Sequence, residues 1–492
     1  MKAEIRKARI VLLLMQMFST LGYSVLYSTL VLYTTQGLHL EDHYATALTA
    51  GFIAFNYSLH VLGGYIGGRF MSYRSLFIVG MLLQSVGSVI LSISSLYTFI
   101  WGVAIFLSGC GLNTICINCM LTQLFDSHDK RRESAFLWNY SGMNLGFFIG
   151  FSVSGYFQLH QNFHTLFLFS AVGSLISFFI TLFNWKHLKD KGTLFIQSSN
   201  KITRNFGAAL IIIVLILALS WLLNSARLSN ILICLSGILV ASIFAFLAWK
   251  QKSVESSKKI WAFLILALSS VVFWTLYQMA PMGLTLFFDR NVHPVFLGIT
   301  IPPQWMQNIN TVIIILGGPL VASINQGLRK KGYKISLPFQ FTTALLLIGI
   351  GFLLLPLGIY FADAKGYSNI NWVIGCYFFQ SVGELFISPI GYAMIGQLIP
   401  PKLQGFAMGA WLMVSGVAAT MSNFFSQDAL GSSEATNPLI TNISYSAVFL
   451  KLGISAIIMS IIVLLLKKFL HKLIQEKTGL QNREPAPYNA QH

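Results

Sequence analysis

Apolar stretches long enough to cross a lipid bilayer recur along almost the whole of this chain of 492 residues. About 20 residues of helix span the hydrocarbon layer. Such stretches fall near residues 10–35, 44–68, 75–96, 98–124, 135–158 and 163–185, then 206–222 and 230–249, then 260–288, 305–325, 337–361, 370–398, 404–426 and 445–466. Backbone in lipid must satisfy its own hydrogen bonds, and a helix does so within one segment. The pattern therefore predicts an all-α polytopic membrane protein with 14 transmembrane helices in a six, two, six arrangement. Composition agrees: 55% of residues are hydrophobic and 10% charged, against roughly 25% charged in a soluble domain. A water-facing globule, a disordered chain and a secreted disulfide scaffold are excluded. The first stretch follows Lys2, Arg6, Lys7 and Arg9 and is too long for a signal peptide, so it is read as a retained span.

The net charge of +17 invites a nucleic-acid reading, but its distribution argues against one. Of the 32 Lys and Arg, all but Arg227, Arg290, Lys365 and Lys451 fall on one side of the predicted topology. That is the positive-inside asymmetry, with both termini cytoplasmic. The expected partners are the lipid bilayer and a small-molecule or peptide substrate, with protons as a further candidate and no nucleic acid; the chain is expected to be a monomer. Cys110, Cys116, Cys119, Cys234 and Cys376 lie in apolar runs and imply no disulfide framework. Cys116 and Cys119 lack a second pair or a nearby His, so core packing is expected. Neither a metal site nor a cofactor is expected.

Basic connectors divide the spans. The expected organisation is an N-terminal six-helix bundle (1–185), cytoplasmic linkers with an inserted helix pair (186–259), a C-terminal six-helix bundle (260–467) and a cytoplasmic tail (468–492). Two six-helix halves joined by a cytoplasmic linker suggest a secondary transporter of the major facilitator type. Gly142, Gly146 and Gly150 recur every four residues, as do Gly63/Gly67 and Gly64/Gly68, which suits close helix packing. Pro281 and Pro389 interrupt their spans, which is tolerated where a cavity or a neighbouring helix satisfies the freed carbonyl.

One charged side chain falls inside a predicted span. Glu384 sits midway along 370–398, roughly 20 Å from either end at 1.5 Å per residue. A carboxylate there costs ~2.5–3.5 kcal/mol or more unless it is neutralised or wetted. No Lys or Arg is predicted at that depth. Glu384 is therefore protonated, faces a wet cavity, or meets a cationic substrate. The plainer alternative is a protonated Glu bonding a neighbouring helix. Gln16, Asn56, Tyr57, His60, Asn113, Asn118, Asn139, Tyr140, Asn144, Gln278 and Gln380 are neutral polar residues able to line a cavity or to join helices. His60, the one histidine deep in a span, is a second candidate for proton coupling, with a satisfied core histidine as the alternative.

The segment Gly383-Glu384-Leu385-Phe386-Ile387-Ser388-Pro389-Ile390-Gly391 resembles the tenth-helix signature of the proton-dependent oligopeptide transporters, a family of the major facilitator superfamily. Phe273-Trp274 through Asp289-Arg290-Asn291-Val292 is similar to that family's seventh helix. Ile301-Pro302-Pro303-Gln304-Trp305-Met306-Gln307-Asn308-Ile309-Asn310 is similar to its eighth, and Ala135-Phe136 through Phe147-Phe148 to its fifth. The inserted helix pair is also what prokaryotic members carry. The resemblance implies that Glu384 and Asn144 hold the amino end of a di- or tripeptide and that Tyr23 and Tyr57 line the cavity.

Departures from the family pattern are as informative. Where relatives carry E-x-x-E-R in the first helix, this chain has Gln16, Ser19 and Thr20. Thr114 stands where relatives have a Lys, Gln278 where they have a Glu, and Gly68 where the superfamily's gating loop has an Asp. In relatives the Arg and Lys serve the peptide carboxylate. Arg and Glu are lost together, which avoids stranding a buried charge. The expected function is thus a non-enzymatic secondary transporter, in a bacterial inner membrane. It would move di-/tripeptides or related small amine-bearing molecules by alternating access, with atypical or absent proton coupling. The expected substrate-binding residues are Glu384, Asn144, Tyr23, Tyr57, Tyr140, Gln278, Thr114, Thr20 and Gln16. The alternatives are a carrier of a non-peptide metabolite and a non-transporting nutrient sensor.

Overall fold

The computed structural model describes residues 2–125, 129, 131–188, 190–331, 335–431 and 436–474. In chain order the first helices are α1 (Lys2–Leu32), α2 (Asp42–Ile66), α3 (Tyr73–Leu91), α4 (Leu96–Thr122), α5 (Arg131–Leu159) and α6 (Phe163–Phe183). The one-turn α7 (Leu194–Gln197) precedes the long pair α8 (Lys201–Asn224) and α9 (Ala226–Lys250). Then come α10 (Val254–Tyr277), α11 (Gly283–Asn291), α12 (Pro303–Lys330), α13 (Leu337–Tyr360), α14 (Ile370–Leu398), α15 (Gln404–Leu430), α16 (Pro438–Leu465) and α17 (Lys467–Ile474).

Twelve helices among the described residues are long and apolar enough to cross a membrane. The long helices outside that set are α5 and α12. Asn144 in the middle of α5 and Gln307 and Asn310 in the first third of α12 face the cavity described below.

Three details differ from expectation. The stretch 260–288 is not one helix: α10 ends at Tyr277 and α11 starts at Gly283. Pro281 has no amide hydrogen to continue the ladder, and turns over Gln278–Met282 replace it, with Leu284 N–H bonding the Met279 carbonyl at 2.9 Å. The chain is also not wholly helical. Strands β1 (Val292–His293), β2 (Val295–Phe296), β3 (Ile299–Thr300) and β4 (Ser368–Asn369) form two small ladders, β1 parallel to β4 and β2 antiparallel to β3. The expected tail at 468–492 begins as helix, since α17 reaches Ile474; its remainder lies outside the described residues.

Helix α1 packs on α5 and α6, α3 on α4 and α6, α13 on α14 and α16, and α12 on α14. Contacts between early and late helices run through α2 with α15 and α5 with α12. The glycine stripe of α5 is spent on α1: a Cβ at Gly142 would sit 2.9 Å from the Leu13 carbonyl oxygen, and one at Gly146 would collide with that of Met17. Helix α8 rests on α4, and α9 on α10, α15 and α2, while their outer faces expose Leu210, Ile213, Leu235 and Ile238.

The segment after α6 does not hang free. Asp190 Oδ2 accepts the Tyr73 amide at the start of α3, at 2.8 Å. The Phe195 amide donates to the Gly68 carbonyl at 2.8 Å, and Arg204 donates to the Arg69 carbonyl at 2.6 Å. Burial pushes the Asp190 carboxyl above the ordinary carboxylate range, against the Tyr73 amide and the Arg74 charge that pull it down. Gly68 has φ +71°, a backbone geometry that favours glycine over aspartate.

Candidate functional site

Helices α1, α2, α4, α5, α10, α12, α14 and α15 enclose a cavity of about 300 Å³. Its one formally charged lining group, among the described residues, is Glu384. That side chain is 8% exposed. Its Oε2 accepts from Asn310 Nδ2 at 2.7 Å, and its Oε1 from the Ser388 hydroxyl at 3.2 Å. Ser388 is one turn along the same helix, so α14 itself supplies one donor and α12 the other. Pro389 lacks the amide that would bond the Leu385 carbonyl, which loosens the helix one residue past Glu384.

Phenol and indole rings surround the carboxylate. Tyr27, Tyr57, Tyr140, Trp274, Tyr277 and Tyr392 all line the cavity. Tyr277 OH donates to Asn310 Oδ1 at 3.4 Å. Tyr23 stacks on Phe52 with ring centroids 5.6 Å apart, and its buried hydroxyl has no hydrogen-bond partner. The indole N–H of Trp274, Nε2 of Gln307 and Oε1 of Gln380 are likewise buried without a partner. Buried polar groups are normally bonded to protein or water. Four unpaired groups around one cavity are consistent with water or a polar ligand filling it.

Gln16, Thr20, Asn113 and Thr114 form a neutral part of the lining, with Asn139 behind Gln16 outside it. Gln16 Nε2 donates to Thr20 Oγ1 at 2.9 Å, and Asn139 Nδ2 to Gln16 Oε1 at 3.3 Å. Thr114 Oγ1 donates to Asn113 Oδ1 at 2.9 Å.

Of the residues singled out in the sequence, Glu384, Asn144, Tyr23, Tyr57, Tyr140, Thr114, Thr20, Gln16 and His60 all line this cavity. Asn144 uses its Nδ2 on the Tyr140 carbonyl of its own helix, at 2.9 Å. Gln278 is placed differently. It is fully buried in the turn after α10, outside the lining, where its Oε1 accepts from Tyr27 OH at 3.1 Å. Its position is that of a buttress for Tyr27. Asn310, Tyr277 and Gln307 were not singled out. Gln307, Asn310 and Thr311 recur at i, i+3 and i+4, a polar stripe on α12 that could have flagged them.

One end of the molecule is tied across. Arg290, at the end of α11, grips Asp42, at the start of α2, through both oxygens, with Arg290 Nη2 to Asp42 Oδ1 at 2.8 Å. Gln36 Nε2 donates to Asp289 Oδ2 at 2.9 Å, and Gln158 Nε2 to Gln36 Oε1 at 3.1 Å. Trp305 Nε1 donates to the Ser152 carbonyl at 2.9 Å, and Gln427 Nε2 to the His43 carbonyl at 3.1 Å. The Gln158–Gln36 bond lies within the first half and braces Gln36; the others join residues before 162 to residues after 288.

Residues 70–437 match the model of a family described as the POT family. The sequence is 29% identical over 463 residues to a dipeptide and tripeptide permease A of Cronobacter turicensis, covering 94% of this chain and 92% of that protein. It is 27% identical over 474 residues to the protein of that name from Escherichia coli, covering 96% and 94%. A crystal structure of a peptide transporter POT in complex with sulfate superposes with a TM-score of 0.84 at 21% identity, covering 95% of this chain and 96% of that one.

Proposed function

The chain belongs to the POT family, and on that premise we propose that it is a secondary transporter of di- and tripeptides or related small amine-bearing molecules. The observation that carries this reading is Glu384, the one carboxylate among the described lining residues, oriented by Asn310 and Ser388 in a cavity between early and late helices. An ammonium group is its chemical complement. Asn144 and the tyrosines Tyr23, Tyr57 and Tyr140 shape the remainder of the site, with Gln16, Thr20 and Thr114 as neutral hydrogen-bonding groups.

The proposed topology has 14 spans, α5 and α12 among them, with the α10–α11 break inside one. Residues 1–185 and 260–467 form the two moving bundles. The α8–α9 pair is held beside them, both termini are cytoplasmic, and the host membrane is a bacterial inner membrane. The carrier works as a monomer. The cross-ties around Asp42–Arg290 close the outer end, so access alternates by making and breaking them.

A carrier of a non-peptide amine is the second reading. It is favoured by the neutral Thr20 and Thr114, which offer no fixed cation to a peptide carboxylate.

Counterflow in proteoliposomes tests the proposal. Liposomes loaded with unlabelled alanyl-alanine or alanyl-alaninamide are expected to accumulate the labelled form of at least one of the two, and Glu384→Gln to abolish this while purifying as a monodisperse protein. Exchange at the wild-type rate in that variant would remove Glu384 from the site.

A further inference from the structure

In a carrier of that kind, the charge inventory of the cavity decides what can cross in exchange for what. Among the described lining residues Glu384 alone is formally charged, and no Lys, Arg or Asp accompanies it. The groups that face it from the packed helices are Tyr27 on α1, Tyr57 and His60 on α2, Tyr140 on α5, Tyr277 on α10 and Tyr392 on α14 itself. Helix α12 brings the amides of Gln307 and Asn310, and α15 brings Trp411 and Ser415. Helix α13 presents Ala344 and Leu347 to α14 at Gly383. Phenols are neutral near pH 7 by their ordinary chemistry. Each time the cavity closes off from water, this carboxylate needs a neutralising partner that the protein does not provide.

Two occupants supply one positive charge: a proton on the carboxyl, or an ammonium beside it. The hydrogen bonds at the site accept either. Asn310 Nδ2 donates to Oε2 in both states. The Ser388 hydroxyl, at 3.2 Å from Oε1, donates to the carboxylate and, by turning, accepts from the protonated acid. A zwitterionic peptide brings a second carboxylate, for which the neutral Gln16–Thr20–Asn139 and Asn113–Thr114 clusters have no charge to offer. An amide-terminated cargo suits those neutral groups.

Resting on the transport reading above, we propose that the protein is an electroneutral exchanger of one proton for one monocationic amine without a free carboxylate, such as a peptide amide. The step balances as the Glu384 carboxylic acid plus one alkylammonium cation giving the Glu384 carboxylate paired with that cation, plus one free proton. The proton leaves on the side from which the amine enters. The closed cavity is neutral with either occupant, so its reorientation carries no net charge across the membrane potential.

The test uses full-length protein, alanyl-alaninamide and alanyl-alanine. In proteoliposomes, an acid interior is expected to accelerate alanyl-alaninamide uptake severalfold over protein-free liposomes treated identically, and an inside-negative potassium diffusion potential is expected to leave the rate unchanged. In weakly buffered detergent solution, binding of the amide is expected to release about one proton per protein. Glu384→Gln is expected to release none, and Glu384→Asp to keep the release. Uptake accelerated by an acid exterior or by the inside-negative potential would overturn the exchange. So would proton release undiminished in Glu384→Gln, or preferential uptake of alanyl-alanine. Absence of counterflow for both compounds would overturn the transport reading itself, whereas counterflow without the proton linkage would overturn the exchange alone.

Discussion

Replacing Asp42 by alanine should tip the carrier toward the conformation open at the end where Asp42 meets Arg290. The two side chains are 23% and 16% exposed and meet through both carboxylate oxygens. Exposed ion pairs contribute ~0–1 kcal/mol, and removing one partner of a fully buried pair costs ~3–5 kcal/mol. With about a fifth of each side chain still wet, the loss should be ~2 kcal/mol, and it falls only on the conformation in which the residues touch. That amounts to about a 30-fold change in the ratio of closed to open at 1.36 kcal/mol per decade. The assay is the labelling rate of Leu412→Cys, a cavity-lining position, by a membrane-impermeant maleimide in a variant whose five native cysteines are replaced. Asp42→Ala should raise the rate more than tenfold, and the exchange Asp42→Arg with Arg290→Asp should bring it back most of the way. A rate within twofold of the parent, or an exchanged pair that labels as fast as Asp42→Ala, would refute the reasoning.

Two further outcomes follow from packing and from the hydrogen bonds of the site. Gly146→Leu should destabilise the protein by at least ~1–3 kcal/mol, because the new side chain meets the Met17 carbonyl and Thr20 on α1; a thermal melt in detergent that does not move would contradict the close α1–α5 approach. Asn310→Leu removes the 2.7 Å donor to Glu384 and should weaken amine binding about tenfold, equivalent to ~1.4 kcal/mol; unchanged affinity by calorimetry would show that Asn310 does not orient the carboxylate.

The long helices were legible because lipid imposes a length and a hydrophobicity on every crossing segment, whatever it packs against, and twelve of them among the described residues meet both. Glu384 was legible for the same reason: a charge in mid-span stands out against its surroundings. The break at Gln278–Met282 was only half legible. Pro281 signalled an interruption, but where two helices restart depends on tertiary bonds, such as that from the Gly283 amide to Ser426 Oγ at 3.1 Å. Gln278 shows the limit of reading polar residues one at a time. It lies next to Tyr277, which lines the cavity, yet it falls in the turn where α10 has ended, and its amide serves Tyr27 from behind the wall. The stripe Gln307–Asn310–Thr311 marks a polar face of α12, but which of its amides meets Glu384 is decided only when α14 is set against α12.

The carboxylate at the start of α3 comes from Asp190, in the connector, and not from the α2–α3 loop, whose Gly68 carries no side chain. The consequence concerns heredity as much as mechanics. The loop and the connector are separated by more than a hundred positions in the gene but form one unit of inheritance. A recombination that delivered the first 185 residues from a relative while keeping this connector would set Asp190 against a loop and helix start it was not matched to. Crossovers that respect the unit must fall before the loop or beyond Arg204, the last connector residue bonded to it. That narrows where chimaeras between this chain and its relatives can be joined.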